Sequence, residues 1–132
     1  MIFKDRKDAA IQLAHALEKY KGQNVLVLGI PRGGAETAWY IANHLGAEMS
    51  LLISRKLGHP HDPEYAIGAI AEDGSTWYNP DAVSGVSKEA IETVKAEQQQ
   101  EIQRRIQMLR EGKPLPELRD RIVILADDGI AT

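Results

Sequence analysis

The sequence predicts an α/β domain built on a parallel sheet, and three observations carry that expectation. Asn24–Gly29 and Ile122–Ala126 are short, continuous apolar runs, the pattern of strands covered on both faces. A glycine pair, Gly33–Gly34, follows the first run and opens a helical pattern. Glu48–Ser54 then reads as another strand, so strand, glycine turn, helix and strand succeed one another as in a βαβ unit.

The elements follow in order. Asp5–Lys21 reads as a helix, because Ala9, Ala10, Leu13, Ala14, Leu17 and Tyr20 recur at helical spacing and Gly22 supplies a stop. The second helix runs through Trp39, Ile41, Ala42 and Leu45 to Gly46, with Trp39 and His44 read as packing or surface residues. Residues 55–64 are polar and proline-bearing and are expected to form a loop. Ala66–Glu72 reads as a third strand, and Asp73-Gly74 as the turn of a hairpin leading into Thr76-Trp77-Tyr78. Trp77 and Tyr78 either pack that hairpin or offer an aromatic face to a base. Ser87 is the expected N-cap of a long helix to Glu111, closed by Gly112 and Pro114. Its apolar stripe is narrow (Ile91, Val94, Ile102, Ile106, Leu109), which predicts packing on one side only.

With 132 residues, no repeat and no flexible linker, residues 1–132 read as one domain with its own core. The net charge of −3 argues against a broad nucleic-acid footprint. The absence of cysteine excludes disulfides, thiolate metal sites and cysteine nucleophiles. The N-terminus is charged and lacks an apolar signal core, and no apolar run is long enough to span a bilayer. No membrane partner and a cytoplasmic location are the default expectations.

Three segments carry candidate chemistry. Asp127-Asp128 closes a buried strand, at the edge where open α/β sheets bind ligands. Carboxylates there accept hydrogen bonds from sugar hydroxyls or hold Mg²⁺, usually through water. The small residues that follow, Gly129-Ile130-Ala131-Thr132, let backbone N–H groups approach an anion. The same residues also read as a plain acidic turn. Gly29-Ile30-Pro31-Arg32-Gly33-Gly34 joins the first strand to its helix. Its glycines permit close backbone approach at the positive end of the helix dipole, and Arg32 adds a bidentate cation. It matches neither a dinucleotide fingerprint nor a P-loop, and a packing turn is the bland alternative. Arg55-Lys56, at the expected end of the second strand, reads either as a solvated strand end or as an anion binder. If three strand ends face the same way, a polyphosphorylated sugar held with Mg²⁺ uses all three. His59-Pro60-His61-Asp62, with Glu64 nearby, is weak as a metal site for want of a third clear ligand, and reads better as a loop over the ligand.

Ile124-Leu-Ala-Asp-Asp-Gly-Ile-Ala-Thr132 resembles the signature of type I phosphoribosyltransferases, in which apolar residues lead to two acids and a loop that holds 5-phosphoribosyl-1-pyrophosphate (PRPP). Ile30-Pro-Arg-Gly-Gly34 resembles the pyrophosphate loop of that family. Arg55-Lys56 is similar to the basic pair of orotate-type members. Arg55-Lys-Leu-Gly58 together with Pro63-Glu-Tyr-Ala-Ile-Gly-Ala-Ile-Ala-Glu72 resembles a subgroup with no settled base.

The resemblance implies a parallel-sheet core with helices on both faces, and a hairpin and long helix, residues 75–117, as hood or insertion. It implies a glycosyltransferase that moves ribose 5-phosphate between PRPP and a nucleobase, with release of pyrophosphate. Asp127 and Asp128 would meet the ribose 2′- and 3′-hydroxyls directly or through Mg²⁺. Pro31, Arg32, Gly33 and Gly34 would bind pyrophosphate through a cis Pro31–Arg32 peptide, and Arg55 and Lys56 would neutralise the leaving group. Gly129, Ile130, Ala131 and Thr132 would begin the 5′-phosphate loop.

Two departures stand out. Ala131 occupies the place where 6-oxopurine members carry an aspartate, a small residue more like adenine-type loops. The family loop also continues beyond the position of Thr132 into a helix and another strand. The chain is therefore expected to end inside that loop, to be inactive as written, and to expose strand 122–126 as an apolar edge through which it forms a homo-oligomer. Two rival classes are a non-catalytic regulator that senses PRPP or a nucleotide, and an unrelated Mg²⁺-binding α/β domain acting on phosphates.

Overall fold

The computed structural model describes residues 2–129. In chain order the elements are α1 (Arg6–Ala16), a 3₁₀ turn (Glu18–Tyr20), β1 (Val25–Gly29), α2 (Gly33–Leu45), β2 (Glu48–Leu51), β3 (Ser54–His59), β4 (Asp62–Ala71), β5 (Thr76–Tyr78), α3 (Pro80–Val83), α4 (Lys88–Arg110) and β6 (Ile122–Ala126). They form two compact units. The first combines residues 1–52 and 114–132, and the second is the continuous stretch 53–113. Among the described residues, no helix is long and apolar enough to cross a membrane.

The first unit is the α/β layer. Its sheet has the order β2-β1-β6, and both pairings are parallel. Every residue of β1 is buried, as its unbroken apolar run requires. Val25 and Val27 face Ala38, Ile41, Ala42 and Leu45 of α2, with Ala14 of α1 in the same cluster. Burying a valine, leucine or isoleucine of this kind contributes about 1.5–3 kcal/mol. Only Ala10 and Ala14 of α1 are buried, and these small side chains let it lie close to α2.

The helix expected over Asp5–Lys21 is shorter than its periodicity suggests. Asp5 caps it, accepting from the Asp8 N–H at 2.8 Å, but the α-helix ends at Ala16 and tightens into the 3₁₀ turn before Gly22 at φ +81°. At the foot of the sheet Arg121 ties three strands together. It donates to Glu48 at 2.7 Å and to the Asn24 side chain and the Val25 carbonyl, each at 3.1 Å. β6 lies at one edge, with Val123 and Leu125 40% and 56% exposed.

The second unit is an antiparallel sheet, β3-β4-β5, packed against α4. Here two expectations are corrected. The second strand does not run to Ser54: it stops at Leu51, and Ser54 begins a strand of the other sheet. Residues 55–64 are not a loop but most of a hairpin. Polar residues pair there because β3 buries little beyond Leu57, while a bulge takes the register from Gly58↔Ala66 to His59↔Asp62 and leaves Pro63 out of the ladder. The Asp73-Gly74 turn and β5 form as expected, with Trp77 63% exposed.

Ser87 caps α4 by accepting from the Ala90 N–H at 3.1 Å. The left-handed cap at its far end falls on Glu111 (φ +56°), one residue before Gly112. Ile102 is the most deeply buried residue of its stripe, and Leu109 is 40% exposed. Beside it lies a buried ion pair that no sequence pattern announces: Arg110 meets Glu72 at 2.7 Å, and Glu72 also accepts from the Ile53 N–H at 2.8 Å.

Candidate functional site

The C-terminal edge of the parallel sheet is built by two segments that the sequence keeps far apart. β1 leads into Ile30, whose N–H donates to the Ala126 carbonyl at 2.9 Å, so the loop after β1 continues the pairing with β6. The Pro31–Arg32 peptide is cis. Gly33 and Gly34 then open α2 directly against the acid pair. A Cβ on Gly33 would collide with the Asp128 carboxylate, and one on Gly34 would lie 2.7 Å from the Ala126 carbonyl oxygen and 3.0 Å from the Asp127 Cα. Glycine is required here for close approach.

α2 also stands apart in how it begins. Asp5 caps α1, Asn79 caps α3 and Ser87 caps α4, whereas among the described residues no side chain caps α2 at Arg32. First-turn N–H groups without a capping side chain, at the positive end of a helix dipole, are a ready anion site. On the other side, Asp127 Oδ1 accepts from the Asp128 N–H at 2.8 Å, which fixes the first carboxylate against the backbone. Asp128 Oδ2 accepts from Arg6 at 3.1 Å, and the same guanidinium reaches Glu36 at 3.5 Å. Arg6 thereby balances one of two adjacent acids, although the pair is half exposed and of modest strength. Arg6, Phe3, Thr37 and the two aspartates line a cleft of about 210 Å³.

No local sequence pattern marks Arg6 or Thr37 as part of this cleft. Arg6 lies 122 positions from Asp128, and nothing local marks it. Thr37 is 3% exposed, and a buried hydroxyl one turn into a helix gives no pattern of its own.

Arg55 and Lys56 belong to the second unit. They lie at the start of β3, not at the end of the second parallel strand. They help line a cleft of about 420 Å³ with His59, Glu97 and Gln98. Arg55 Nε donates to Gln98 at 2.8 Å, and Lys56 Nζ lies 3.8 Å from the Glu64 carboxylate. The His59 and His61 ring centroids are 5.9 Å apart, and His59 Nδ1 accepts from the His61 backbone N–H at 3.1 Å. No third metal-ligating side chain joins them among the described residues. Of the phosphate loop, Gly129 is described, and the roles expected of Ile130, Ala131 and Thr132 fall outside the described residues.

Comparison with known proteins identifies the family of the chain. Two Mycobacterium tuberculosis proteins, from strains CDC 1551 / Oshkosh and ATCC 25618 / H37Rv and each named "Putative phosphoribosyl transferase", are 44% identical to the chain over 133 residues. The alignment covers 99% of this chain, which spans 30% of the length of those relatives. The crystal structure of TT1426 from Thermus thermophilus superposes with a TM-score of 0.76 at 35% identity, covering 96% of this chain and 61% of that one. Residues 2–132 match the phosphoribosyl transferase domain, and the chain belongs to that family.

Proposed function

We propose that the edge formed by Pro31–Gly34 and Asp127–Asp128 is the PRPP site of a phosphoribosyltransferase that joins ribose 5-phosphate to a nucleobase and releases pyrophosphate. The observation that carries this reading is the contact itself. An uncapped helix start, suited to an anion, is pressed by two glycines against two carboxylates suited to a diol. A sugar carrying a pyrophosphate offers both groups a few atoms apart.

In this reading Asp127 and Asp128 accept hydrogen bonds from the ribose 2′- and 3′-hydroxyls. The backbone of residues 31–34 and the Arg32 fork hold the pyrophosphate, and Gly129 to Thr132 begin the cradle for the 5′-phosphate. The C1′–O bond breaks through an oxocarbenium-like state and a base nitrogen bonds to C1′ from the opposite face. The protein acts by holding the reactants in line and by placing cations where charge develops. The donor set also fits Mg²⁺, because two adjacent carboxylates offer hard oxygens and the half-exposed Asp128 leaves room for water. When bound, Mg²⁺ supplies further charge neutralisation at the pyrophosphate. In this reading the reaction serves nucleotide salvage.

The test is PRPP-dependent release of pyrophosphate by the full-length protein across a panel of bases, with Asp128→Asn as control. Turnover with one base, lost in the control, is the expected result. PRPP binding without turnover on any base would overturn the enzyme and favour a PRPP sensor. Failure to bind PRPP at all would favour a different phosphate-handling domain.

A further inference from the structure

His15, Glu18 and His44 form a cluster to which the phosphoribosyl chemistry gives no task. His15 lies in the last turn of α1, Glu18 in the 3₁₀ turn behind it and His44 in the last turn of α2. His44 Nε2 lies 3.6 Å from Glu18 Oε1, and His15 Nδ1 lies 3.9 Å from Glu18 Oε2. The two imidazole rings are 4.6 Å apart. The three residues offer ligand atoms that all lie within 4.8 Å of one another, the one such group among the described residues.

Two further observations point to a cation. His44 Nε2 is shielded from solvent and has no hydrogen-bond partner among the described residues, since 3.6 Å is too long for a hydrogen bond. A buried ring nitrogen aimed at a carboxylate and a second imidazole, yet bonded to neither, is arranged as a ligand is arranged. Both histidines also sit at helix C-termini, where the carbonyl ends of the dipoles favour positive charge.

We propose that His15, Glu18 and His44 form a binding site for a divalent metal ion of the zinc class, remote from the ligand edge, that clasps the C-terminal ends of α1 and α2. Imidazole and carboxylate without thiolate suit Zn²⁺ and its borderline neighbours better than Mg²⁺. Tetrahedral zinc, with bonds of about 2.0–2.2 Å, sets its ligand atoms about 3.3–3.6 Å apart. The His44–Glu18 separation of 3.6 Å already matches that span; His15 meets the other carboxylate oxygen of Glu18, and its gaps, none wider than 4.8 Å, close by rotation of the exposed His15. His15 and Glu18 side chains are 62% and 53% exposed, so water completes the fourth position. The ends of α1 that carry Arg6 and His15 are nine residues apart, about 13 Å along a helix, so the metal has no part in holding the sugar phosphate.

The experiment is calorimetric titration of the metal-free protein with Zn²⁺, with the visible spectrum of the Co²⁺-loaded protein as a second readout. One equivalent should bind, and tetrahedral Co²⁺ bands should appear. His15→Asn and Glu18→Gln, at exposed positions that leave the fold intact, should each weaken Zn²⁺ binding at least tenfold. The double variant His59→Asn/His61→Asn removes the two other histidines and should bind as the parent does. No binding, binding that survives His15→Asn and Glu18→Gln, or binding lost with His59 and His61 would each overturn the proposal.

Discussion

The contact between Gly33 and Asp128 makes a sharp prediction for Gly33→Ala. The added methyl would enter the space of the Asp128 carboxylate, so that side chain must swing away. Its ion pair with Arg6 at 3.1 Å would then break, but both partners are 41–50% exposed, and a pair of this kind is worth about 0–1 kcal/mol. The fold should therefore lose little, on the order of 1 kcal/mol, which for a domain of this size is a fall of roughly 3–6 °C in Tm. Ligand affinity should fall far more. A carboxylate moved off its hydroxyls loses charge-assisted hydrogen bonds worth about 1.5–3 kcal/mol each, on the order of 10- to 100-fold in affinity. Gly34→Ala should invert that balance. Its Cβ would meet the backbone, 2.7 Å from the Ala126 carbonyl oxygen, and backbone cannot rotate aside. Overpacking of this kind costs about 1–3 kcal/mol. Thermal melts and PRPP titration calorimetry on both variants read the two effects separately. A folded Gly33→Ala protein that binds PRPP as tightly as the parent would refute the reasoning.

Three further outcomes are expected. Glu72→Ala leaves the Arg110 guanidinium buried without its carboxylate and the Ile53 N–H without its acceptor; it should cost about 3–5 kcal/mol in a denaturant melt. Hydrogen bonds from Arg104, and then from Arg105, hold the Glu101 carboxyl well below its usual range, at about 2. Because the folded value is depressed, the stability this cluster contributes is full above pH about 4.5 and fades as pH falls towards 2. A carboxyl-carbon NMR titration of Glu101 that shows a midpoint near 4.5 would contradict it. Leu125→Lys on the exposed edge strand should reduce concentration-dependent association seen by light scattering, and identical scattering from parent and variant would rule that edge out as the contact.

The parts legible from sequence were those whose signal is local. The apolar run of β1, the Ser87 cap and the left-handed Gly46 each declare themselves within a few residues, and the structure has them where expected. The hairpin of β3 and β4 was hidden because its buried face is sparse, and because the bulge between Leu57 and His59 breaks the two-residue period on which strand recognition depends. α4 ends at a left-handed Glu111, which no propensity favours over the neighbouring Gly112. In the candidate site the residue types of both loops were readable, since glycines and paired acids carry their chemistry in their names. Their contact was not readable, nor was the reach of Arg6 to Asp128, because these depend on which strand lies beside β1. The strand end assigned to Arg55 and Lys56 was misplaced for the same reason as the hairpin.

The Arg121 clasp on Asn24 and Val25 joins positions 97 and 96 residues apart. At translation rates of about 5–20 residues per second, Asn24 waits roughly 5–20 s for its partner to be made. During that interval β1 can pair with β2 and collect α2, while its other edge still awaits β6. A nascent chain with β1 paired to β2 leaves that apolar strand open on one side until β6 is made, and β6 both seals that edge and delivers the aspartates. Covering of β1 and appearance of the candidate site are one event in the life of the nascent chain, so a chain that fails to close cannot bind as though it had.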